Sequence, residues 1–471
     1  MQQELQELFR SSTGEQVVTM TELSAAGSNR RYFRIKSAHH SRIGVAGVSA
    51  DENRAFIYLS GHLRKKGIAV PQVYAVSGDG MYYMQEDLGD CLLFDALAES
   101  RTSGRYGEKE FQLLKKIITA LPVLQCRGAE GMDFSFGYPQ ASFDRRTVFW
   151  DLNYFKYCFL KAVGIEFQED RLEDDFERMA DILLEEPFDT FMYRDFQSRN
   201  VMICDGEPFF IDFQGGRKGP LYYDVASFLW QARAAYPDEL REQLLEAYIE
   251  ALQPFRPIDS GLFRARLRHF VLFRLLQLLG AYGYRGYFEK KSAFVQAIPD
   301  AVELLAKLLE PGFPDYPCLS EALQALTGLE KYRKLPPAPG LTVTVYSFSY
   351  KKGIPEDYSG NGGGFVFDCR AVHNPGKYEE YKNLTGLDEP VIRFLESDGE
   401  ILEFLKAARQ LTDASVERYL ARGFTDLAVC FGCTGGRHRS VYSARSMAEH
   451  LRQKYGIRVI LIHRELDIQE L

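Results

Sequence analysis

The chain has 471 residues, of which 46% are apolar and 26% are charged, and its formal net charge at pH 7 is −8. This length and globular composition predict about two to four structural units, and the negative charge disfavours a general nucleic-acid-binding protein. No apolar run is long enough to span a bilayer, and the first residues lack the pattern of a signal peptide. We therefore expect a cytoplasmic protein that does not enter a membrane.

The first part of the chain alternates apolar and polar residues. This pattern predicts strands over 17–23, 32–35, 43–48 and 82–85, with one helix over 52–65. From about residue 94 the apolar spacing becomes helical, most clearly over 148–162 and 263–284. We therefore predict a strand-rich lobe over 1–90 and a helical lobe over 91–330.

One segment of the helical lobe has a different pattern. Within 201–213, two apolar runs flank the pair Asp205 and Gly206. An Asp-Gly pair between two strand-like runs predicts a β-hairpin.

A charged run then passes into a proline-rich stretch, which predicts a linker over 331–341. Beyond it, strand-like and helical segments alternate over 342–471. This alternation predicts a small α/β domain with a mainly parallel sheet. The eight cysteines lie mostly in apolar runs, so we expect them to be buried thiols and expect no structural metal site.

The residues that surround the predicted hairpin form the first candidate site. Asp195 is followed five residues later by Asn200, and Asp212 comes directly after the hairpin. Phosphoryl transfer needs one carboxylate at the acceptor hydroxyl and oxygen ligands for Mg²⁺ beside the nucleotide. Each aspartate alone is more simply explained as a turn residue at a strand end, but the combination favours a kinase.

Four stretches of this part resemble known enzymes: 27–35 (GSNRRYFRI), 85–90 (QEDLGD), 193–213 and 219–224 (GPLYYD). They resemble aminoglycoside-phosphotransferase and choline-kinase-like enzymes, and most closely the bacterial amino-sugar kinases that act on N-acetylmuramate and N-acetylglucosamine. The resemblance implies a bilobal protein-kinase-like fold, of α/β and α+β class, that uses ATP and Mg²⁺.

The same resemblance implies roles for individual residues. It makes Asp195 the catalytic residue and Asn200 and Asp212 the metal ligands. The resemblance also implies a phosphate-covering loop that contains Gly27, Ser28 and Arg31. It implies an adenine-binding hinge at Glu86 and Leu88. It makes Asp224 the aspartate that supports the catalytic loop.

Three features of the chain bear on this resemblance. The strand predicted over 43–48 lacks the lysine with which protein kinases bind phosphates, and Tyr193 stands where a histidine is common. Trp150 and Asp151 lie where related sugar kinases have a helix near the acceptor. Packing of that helix into the core is an equally good interpretation of its aromatic residues.

A second candidate site lies between a predicted strand and a predicted helix near the end of the chain. This glycine-rich segment predicts an anion-binding loop, although a tight turn without a ligand has the same pattern. Cys433 and Arg439 also have the C-x5-R spacing of tyrosine phosphatases, which we regard as a minority interpretation. The segment consists of Gly432, Cys433, Thr434, Gly435, Gly436, Arg437, His438, Arg439 and Ser440.

Residues 342–471 resemble the C-terminal domain of RNase adapter proteins of the RapZ type, which bind glucosamine 6-phosphate and RNA. The matching stretches are FVFDCR, Asn374-Pro375, LTGLDEP, GCTGGRHRS and His463-Arg464. The resemblance implies that Asp368, Thr434 and Arg439 line a sugar-phosphate pocket. Gly376 replaces a common histidine and the basic tail is missing, so RNA is a weaker prediction than a sugar phosphate.

Together these patterns predict an ATP-dependent amino-sugar kinase fused to a domain that binds a phosphorylated sugar or a nucleotide-sugar. Two alternatives remain. One is a regulatory adapter that binds a sugar phosphate and RNA or protein, and the other is an antibiotic kinase with the same catalytic residues. The sequence does not predict the acceptor hydroxyl or the oligomeric state.

Overall fold

A computed structural model describes residues 1–23, 30–185, 188–333, 340–355 and 364–470. The chain divides into two compact units, Met1–Ala281 with Asp300–Thr327, and Tyr282–Pro299 with Gly328–Leu471. Within the described ranges, no helix has the length and apolar character needed to cross a membrane.

The first unit begins with a strand-rich lobe. Its five-stranded sheet has the order β1-β2-β3-β5-β4, and every neighbouring pair is antiparallel. Helix α1 packs Leu5 and Phe9 onto the sheet, and α2 begins at a cap in which Ser49 accepts a hydrogen bond from the Glu52 amide. The elements are α1 Gln2–Thr13, β1 Thr19–Leu23, β2 Arg31–Lys36, β3 Ser41–Ala46, α2 Ala50–Lys65, β4 Val73–Val76 and β5 Tyr82–Glu86.

The helical lobe follows and buries many of its aromatic residues. The helices of this part of the chain are α3 Leu93–Ala96, α4 Ala98–Ser103, α5 Glu108–Pro122, α6 Arg145–Phe155, α7 Glu169–Leu183, α8 Leu221–Leu229, α9 Asp238–Leu252, α10 Ser260–Gly283, α11 Ser292–Val295, α12 Ile298–Leu309 and α13 Pro317–Thr327. Of these, α11 groups with the second unit. The helix predicted from 148 continues beyond α6 as a wider π-helical turn, Lys156–Leu160. The predicted bilobal, kinase-like fold of this part is confirmed.

Two short sheets interrupt the helical lobe. Strand β6 (Thr190–Met192) pairs with β9 (Arg217–Gly219), and β7 (Val201–Cys204) pairs with β8 (Glu207–Phe210), both antiparallel. Asp205 and Gly206 connect β7 to β8 with positive φ angles of 51° and 81°. The predicted hairpin is confirmed, since two consecutive positive φ angles are characteristic of a tight hairpin turn.

The second unit contains a five-stranded sheet of order β11-β12-β10-β13-β14. The predicted mainly parallel sheet is confirmed, because only β14 runs antiparallel to its neighbour. Helix α14 stops before Gly399, whose positive φ of 75° separates it from α15. The elements are β10 Thr342–Ser349, β11 Gly364–Asp368, α14 Glu389–Ser397, α15 Glu400–Arg422, β12 Asp426–Cys433, α16 Arg439–Tyr455, β13 Arg458–His463 and β14 Ile468–Glu470.

The central strands of this sheet bury their apolar side chains against α15 and α16. Strand β10 lies between β12 and β13. From β10 the chain passes to β11, toward one edge of the sheet, whereas from β12 it passes to β13, toward the opposite edge. Between β10 and β12 the direction of connection therefore reverses. In open α/β sheets, ligands bind at the carboxyl ends of the strands at such a reversal.

Candidate functional site

The hairpin of β7 and β8 brings Asn200 and Asp212 together. Val201 pairs with Phe210, so Asn200 and Ile211 are the next residues across the ladder, and the Ile211 amide donates to the Asn200 carbonyl at 3.0 Å. The Asn200 Nδ2 donates to the Asp195 carbonyl at 2.8 Å, which leaves the amide oxygen as the remaining side-chain acceptor. Asp212 follows with a positive φ of 66°.

Asp224 supports the loop that carries Asp195. Its carboxylate is fully buried and accepts hydrogen bonds from the backbone amides of Tyr193 (2.8 Å) and Arg194 (3.0 Å). Gln125 Nε2 donates to the same carboxylate at 3.4 Å. Burial raises the pKa of Asp224 to about 7, although these three donors oppose that shift.

Tyr193 occupies the position where a histidine is common in similar enzymes. Its side chain is fully buried, and its hydroxyl donates to the Ile211 carbonyl beside Asp212. Its ring meets Phe196 and Phe213 edge-on, with ring centroids 5.3 and 6.3 Å apart. Tyr193 thus connects the loop of Asp195 to the strand end that carries Asp212.

Asp195 and Asp212 line one cavity of about 310 Å³. The wall combines residues from α2, from α6, from the loop before β7 and from the segment after β8. The lining residues are Glu52, Tyr138, Pro139, Thr147, Trp150, Asp151, Arg194, Asp195, Asp212, Gln214, Gly215 and Arg217.

Asp212 is open to the cavity but crowded by protein atoms. This desolvation raises its pKa; the hydrogen bond from Gln214 Nε2 (2.8 Å) opposes the shift, and the nearby charge of Asp195 adds to it. Glu52 of α2 forms an ion pair with Arg30 at 2.9 Å, and the Arg30 side chain is only 3% exposed. A buried cation therefore lies near the Asp212 carboxylate.

The residues expected to bind the nucleotide have different surroundings. Gly27 and Ser28 lie outside the described residues. Arg31 is half-exposed and forms a two-pronged ion pair with Glu22 of β1 (2.7 and 2.8 Å). The Glu86 amide donates to the Gln72 carbonyl at 2.8 Å, while Leu88 is buried.

Arg34 holds the hinge that follows β5. Its guanidinium contacts Asp87 at 2.9 Å and Asp90 at 2.7 Å, and it donates to the Gly89 carbonyl at 2.9 Å. These contacts fix the hinge to strand β2. The sequence did not single out Arg34, because its partners lie far from it along the chain.

Helix α6 forms one side of the cavity. Trp150 is 44% exposed, whereas Asp151 is buried and forms an ion pair with Arg194 at 2.8 Å. Arg194 has a φ of 81°, which directs the chain into Asp195. The acceptor-side interpretation of Trp150 and Asp151 is therefore compatible with the structure, since both line the cavity.

The second candidate site lies at the carboxyl end of β12. Thr434, Gly435 and Arg437 are exposed there, and the Thr434 carbonyl accepts a hydrogen bond from Ser349 Oγ at 2.7 Å. Gly436 has a φ of 69°. The loop thus lies between β10 and β12, where the direction of connection in the sheet reverses.

The other residues of this loop face the protein. Gly432, Cys433, Gly436, Arg439 and Ser440 are buried, and His438 Nε2 contacts the Tyr381 carbonyl at 2.9 Å. Asp368 is exposed and forms an ion pair with Arg370 at 2.6 Å.

The side chains of Cys433 and Arg439 both contact other groups of the protein. The Cys433 sulfur accepts the Gly436 amide at 3.2 Å and lies 3.1 Å from Ser440 Oγ. Arg439 donates to the carbonyls of Arg370 (3.0 Å) and Val372 (2.8 Å), so its guanidinium supports the neighbouring loop.

Sequence reasoning gave no role to two residues of the cavity wall, Glu52 and Arg217. It named Arg30 only together with Arg31, as added positive charge beside the phosphate-covering loop. Charged residues at strand and helix starts are common, so their type alone carried no signal. The absence of a strand lysine did show that a basic residue from another element was needed, but it did not show which one.

The chain is similar to several curated bacterial proteins. It is 38% identical over 127 residues to a nucleotide-binding protein of Xylella fastidiosa strain 9a5c, a match that covers 27% of this chain and 42% of that protein. It is 37% identical over 128 residues to a nucleotide-binding protein of Sorangium cellulosum, covering 27% and 35%. The chain thus spans less than half the length of these relatives.

Solved structures are also similar at low identity. One is an aminoglycoside phosphotransferase of Ralstonia eutropha, described as putative (13% identity, TM-score 0.46, 69% of this chain and 98% of that chain). Another is choline kinase from Cryptosporidium parvum (11% identity, TM-score 0.46, 69% and 100%).

Two family models match separate parts of the chain. The model of the RapZ C-terminal domain matches residues 341–467. The model of the phosphotransferase enzyme family matches residues 19–258, which include Asp195, Asn200, Asp212 and Asp224. The chain therefore belongs to the phosphotransferase enzyme family and carries a RapZ C-terminal domain.

Proposed function

We propose that this protein transfers the γ-phosphoryl group of ATP to a hydroxyl of an amino sugar of the N-acetylmuramate or N-acetylglucosamine type. The observation that carries the proposal is the shared cavity of Asp195 and Asp212, with Asn200 fixed beside them. A carboxylate for the acceptor and oxygen ligands beside a phosphate are the groups that phosphoryl transfer requires.

Each of the three residues has a separate role in this proposal. Asp195 orients the acceptor hydroxyl and takes its proton as the oxygen attacks the γ-phosphorus, while the bond from the γ-phosphorus to the bridging oxygen breaks and ADP leaves with that oxygen. Asn200 and Asp212 fit Mg²⁺, because an amide oxygen and a carboxylate are the hard ligands that this ion prefers. When bound, Mg²⁺ would neutralise negative charge on the phosphates.

The nucleotide side of the cavity involves Arg30 and the hinge. We assign to Arg30 the role of the lysine that is absent from β3, because it is buried and is held by Glu52 near Asp212. The Glu86 amide is already used by Gln72, so the Glu86 carbonyl and the Leu88 amide are the hinge groups that would meet adenine.

The acceptor side suits a sugar ring. Trp150 offers an exposed aromatic face, and Asp151, Arg194 and Arg217 supply polar groups around it. An apolar face with a few placed polar groups is the usual composition of a small-molecule site.

For the C-terminal domain we propose binding of a phosphorylated sugar or a nucleotide-sugar at the loop that follows β12. The loop lies at the carboxyl end of the parallel strands, where the connections reverse, and Thr434 and Arg437 are exposed there. The start of α16 adds backbone amides that favour an anion.

A test of the kinase proposal is ATP consumption by the full chain with Mg²⁺ and a panel of N-acetylated sugars. We expect turnover with at least one sugar, and Asp195→Asn should lower kcat by about 10²- to 10⁴-fold because it removes the proton acceptor. Asp170→Asn, which removes an exposed carboxylate from α7, is the matched control and should leave kcat unchanged.

Unchanged turnover in Asp195→Asn would overturn the assigned role of Asp195. Absence of turnover together with salt-sensitive RNA binding would instead support a regulatory adapter, because binding to phosphates weakens as salt rises.

A further inference from the structure

Arg217 is a buried cation on the wall of the candidate active site. It begins β9 and pairs with Met192 of β6, the strand that leads into Asp195. Its side chain is 5% exposed, and it lines the same cavity as Asp195 and Trp150. Arg217 therefore belongs to the acceptor side of the site.

The hydrogen bonds of Arg217 do not neutralise its charge. Its Nε donates to the Gly215 carbonyl at 3.0 Å, and its Nη2 lies 3.5 Å from the Tyr138 carbonyl. Among the described residues, no carboxylate lies within ion-pair distance of Arg217, and no side chain or carbonyl accepts from its Nη1. An unpaired buried charge is costly unless a ligand compensates it.

The neighbouring charged groups already have other partners or roles. Arg194, the other arginine of this wall, forms an ion pair with Asp151 at 2.8 Å. Asp195 lies 3.7 Å from Arg274 and is the proposed catalytic residue. Burial, together with the charge of Arg194, lowers the pKa of Arg217 to about 10, whereas Tyr223, Asp151 and Asp195 oppose the shift. Of the two arginines on this wall, Arg217 is thus the one that has no ion-pair partner among the described residues.

We propose that Arg217 binds a carboxylate of the acceptor, so that the preferred substrate is an amino sugar that carries a carboxyl group. This inference rests on the proposed sugar-kinase function. One uncompensated guanidinium matches one negative charge, and its planar edge suits a carboxylate. A phosphate dianion would place a surplus charge beside Asp195 and Asp212, and a polycationic acceptor would face Arg217 unfavourably.

Two sugars that differ only in a carboxyl-bearing ether, N-acetylmuramate and N-acetylglucosamine, form a matched pair of ligands. We would measure their binding to the full chain by calorimetry, with ADP and Mg²⁺ present, and their turnover with ATP. We expect the wild-type protein to bind N-acetylmuramate about 10- to 100-fold more tightly, as a charge-assisted hydrogen bond allows.

Arg217→Gln should abolish that preference by weakening the binding of N-acetylmuramate while leaving N-acetylglucosamine almost unchanged. Arg217→Lys should retain part of the preference, because it keeps the charge but loses the planar fork. Arg171→Gln, which removes an exposed arginine of α7, is the control and should retain the full preference.

The outcomes separate the two proposals. An Arg217-dependent preference in binding without turnover would support carboxylate binding by Arg217, but it would overturn the kinase proposal and with it the role of the bound sugar as an acceptor. Turnover of both sugars without such a preference would overturn the inference alone, and absence of binding and turnover would overturn both. Because a wild-type protein without preference already decides against the inference, the result does not depend on correct folding of Arg217→Gln.

Discussion

Arg30 and Arg31 are adjacent in the chain but have different surroundings. Arg30 is buried and pairs with Glu52 near Asp212, whereas Arg31 is half-exposed and pairs with Glu22 on the sheet. Arg30 directly precedes β2 and Arg31 is the first residue of that strand, and the two side chains reach different partners. The sequence shows that both residues are arginines, but it does not show which partner each side chain reaches.

The first prediction compares these two arginines. Arg30→Ala should lower kcat/KM for ATP by about 10²-fold, because it removes a preorganised cation beside the phosphates. Arg31→Ala should have a much smaller effect, because Glu22 already occupies that side chain. Steady-state kinetics with varied ATP would measure both; equal losses would contradict the assignment of the phosphate-binding role to Arg30.

His463 makes the stability of the second unit sensitive to acid. Its imidazole is fully buried and its Nδ1 lies 2.9 Å from Ser347 Oγ. Burial, with the charge of Arg445, lowers the pKa of His463 to about 4 from an ordinary value of 6.5. At pH values between about 4 and 6.5, His463 binds a proton in the unfolded chain but not in the folded protein, so acid favours unfolding.

We therefore predict that the second unit loses stability as the pH falls from about 6.5 to 4, by up to about 1.4 kcal/mol per pH unit from this group. His463→Gln should flatten that dependence, as measured by denaturant unfolding at several pH values. His373→Gln removes an exposed histidine of the same unit and should not flatten it. A wild-type slope retained in His463→Gln would contradict the prediction.

At the scale of elements, the hairpin of β7 and β8 sets the distance between Asn200 and Asp212. Its turn has positive φ angles at both Asp205 and Gly206. Aspartate and asparagine tolerate this conformation, but a β-branched residue does not. The turn therefore connects a local backbone preference to the geometry of the candidate active site.

Gly206→Val should lower the free energy of unfolding of the first unit by about 1 to 2 kcal/mol. It should also reduce phosphoryl transfer, since the strained turn shifts the strand ends that carry Asn200 and Asp212. Asp205→Asn is the control and should preserve both properties. Denaturant unfolding and ATP turnover would be measured in parallel; full activity of Gly206→Val would show that the turn does not control the site.

The order of elements was predictable wherever periodicity was strong. The hairpin, four of the strands of the N-terminal sheet and the parallel strands of the C-terminal sheet follow from alternating apolar residues and turn residues. Helix α1 and strands β4, β6, β9 and β14 were missed. These elements are short or polar, so packing against neighbours rather than local pattern determines them.

At the scale of the whole molecule, the two units have separate cores. Trp150 and Trp230 are the two tryptophans of the chain, and both belong to the first unit. Tryptophan fluorescence thus reports on the first unit, and calorimetry reports on both.

We predict two thermal transitions that respond to different ligands. ATP with Mg²⁺ should raise the midpoint temperature of the transition seen by tryptophan fluorescence by several degrees. The reason is that a ligand at about 100 times its Kd adds about 2.7 kcal/mol to the free energy of unfolding. Glucosamine 6-phosphate should raise the midpoint temperature of the transition of the second unit, as measured by calorimetry. A single transition, or equal shifts of both by either ligand, would contradict this expectation.

The sequence by itself determined the candidate catalytic aspartate, the candidate metal ligands, the glycine-rich loop and the alternation of elements around them. These features depend on neighbours along the chain, whose spacing and conformational preferences are local. Only the tertiary structure decided that Arg30 meets Glu52, that Arg217 shares a cavity with Asp195, and that Tyr282–Pro299 groups with the second unit. Such pairings depend on how distant segments pack, because the contact energy of a side chain comes from neighbours in space rather than along the chain.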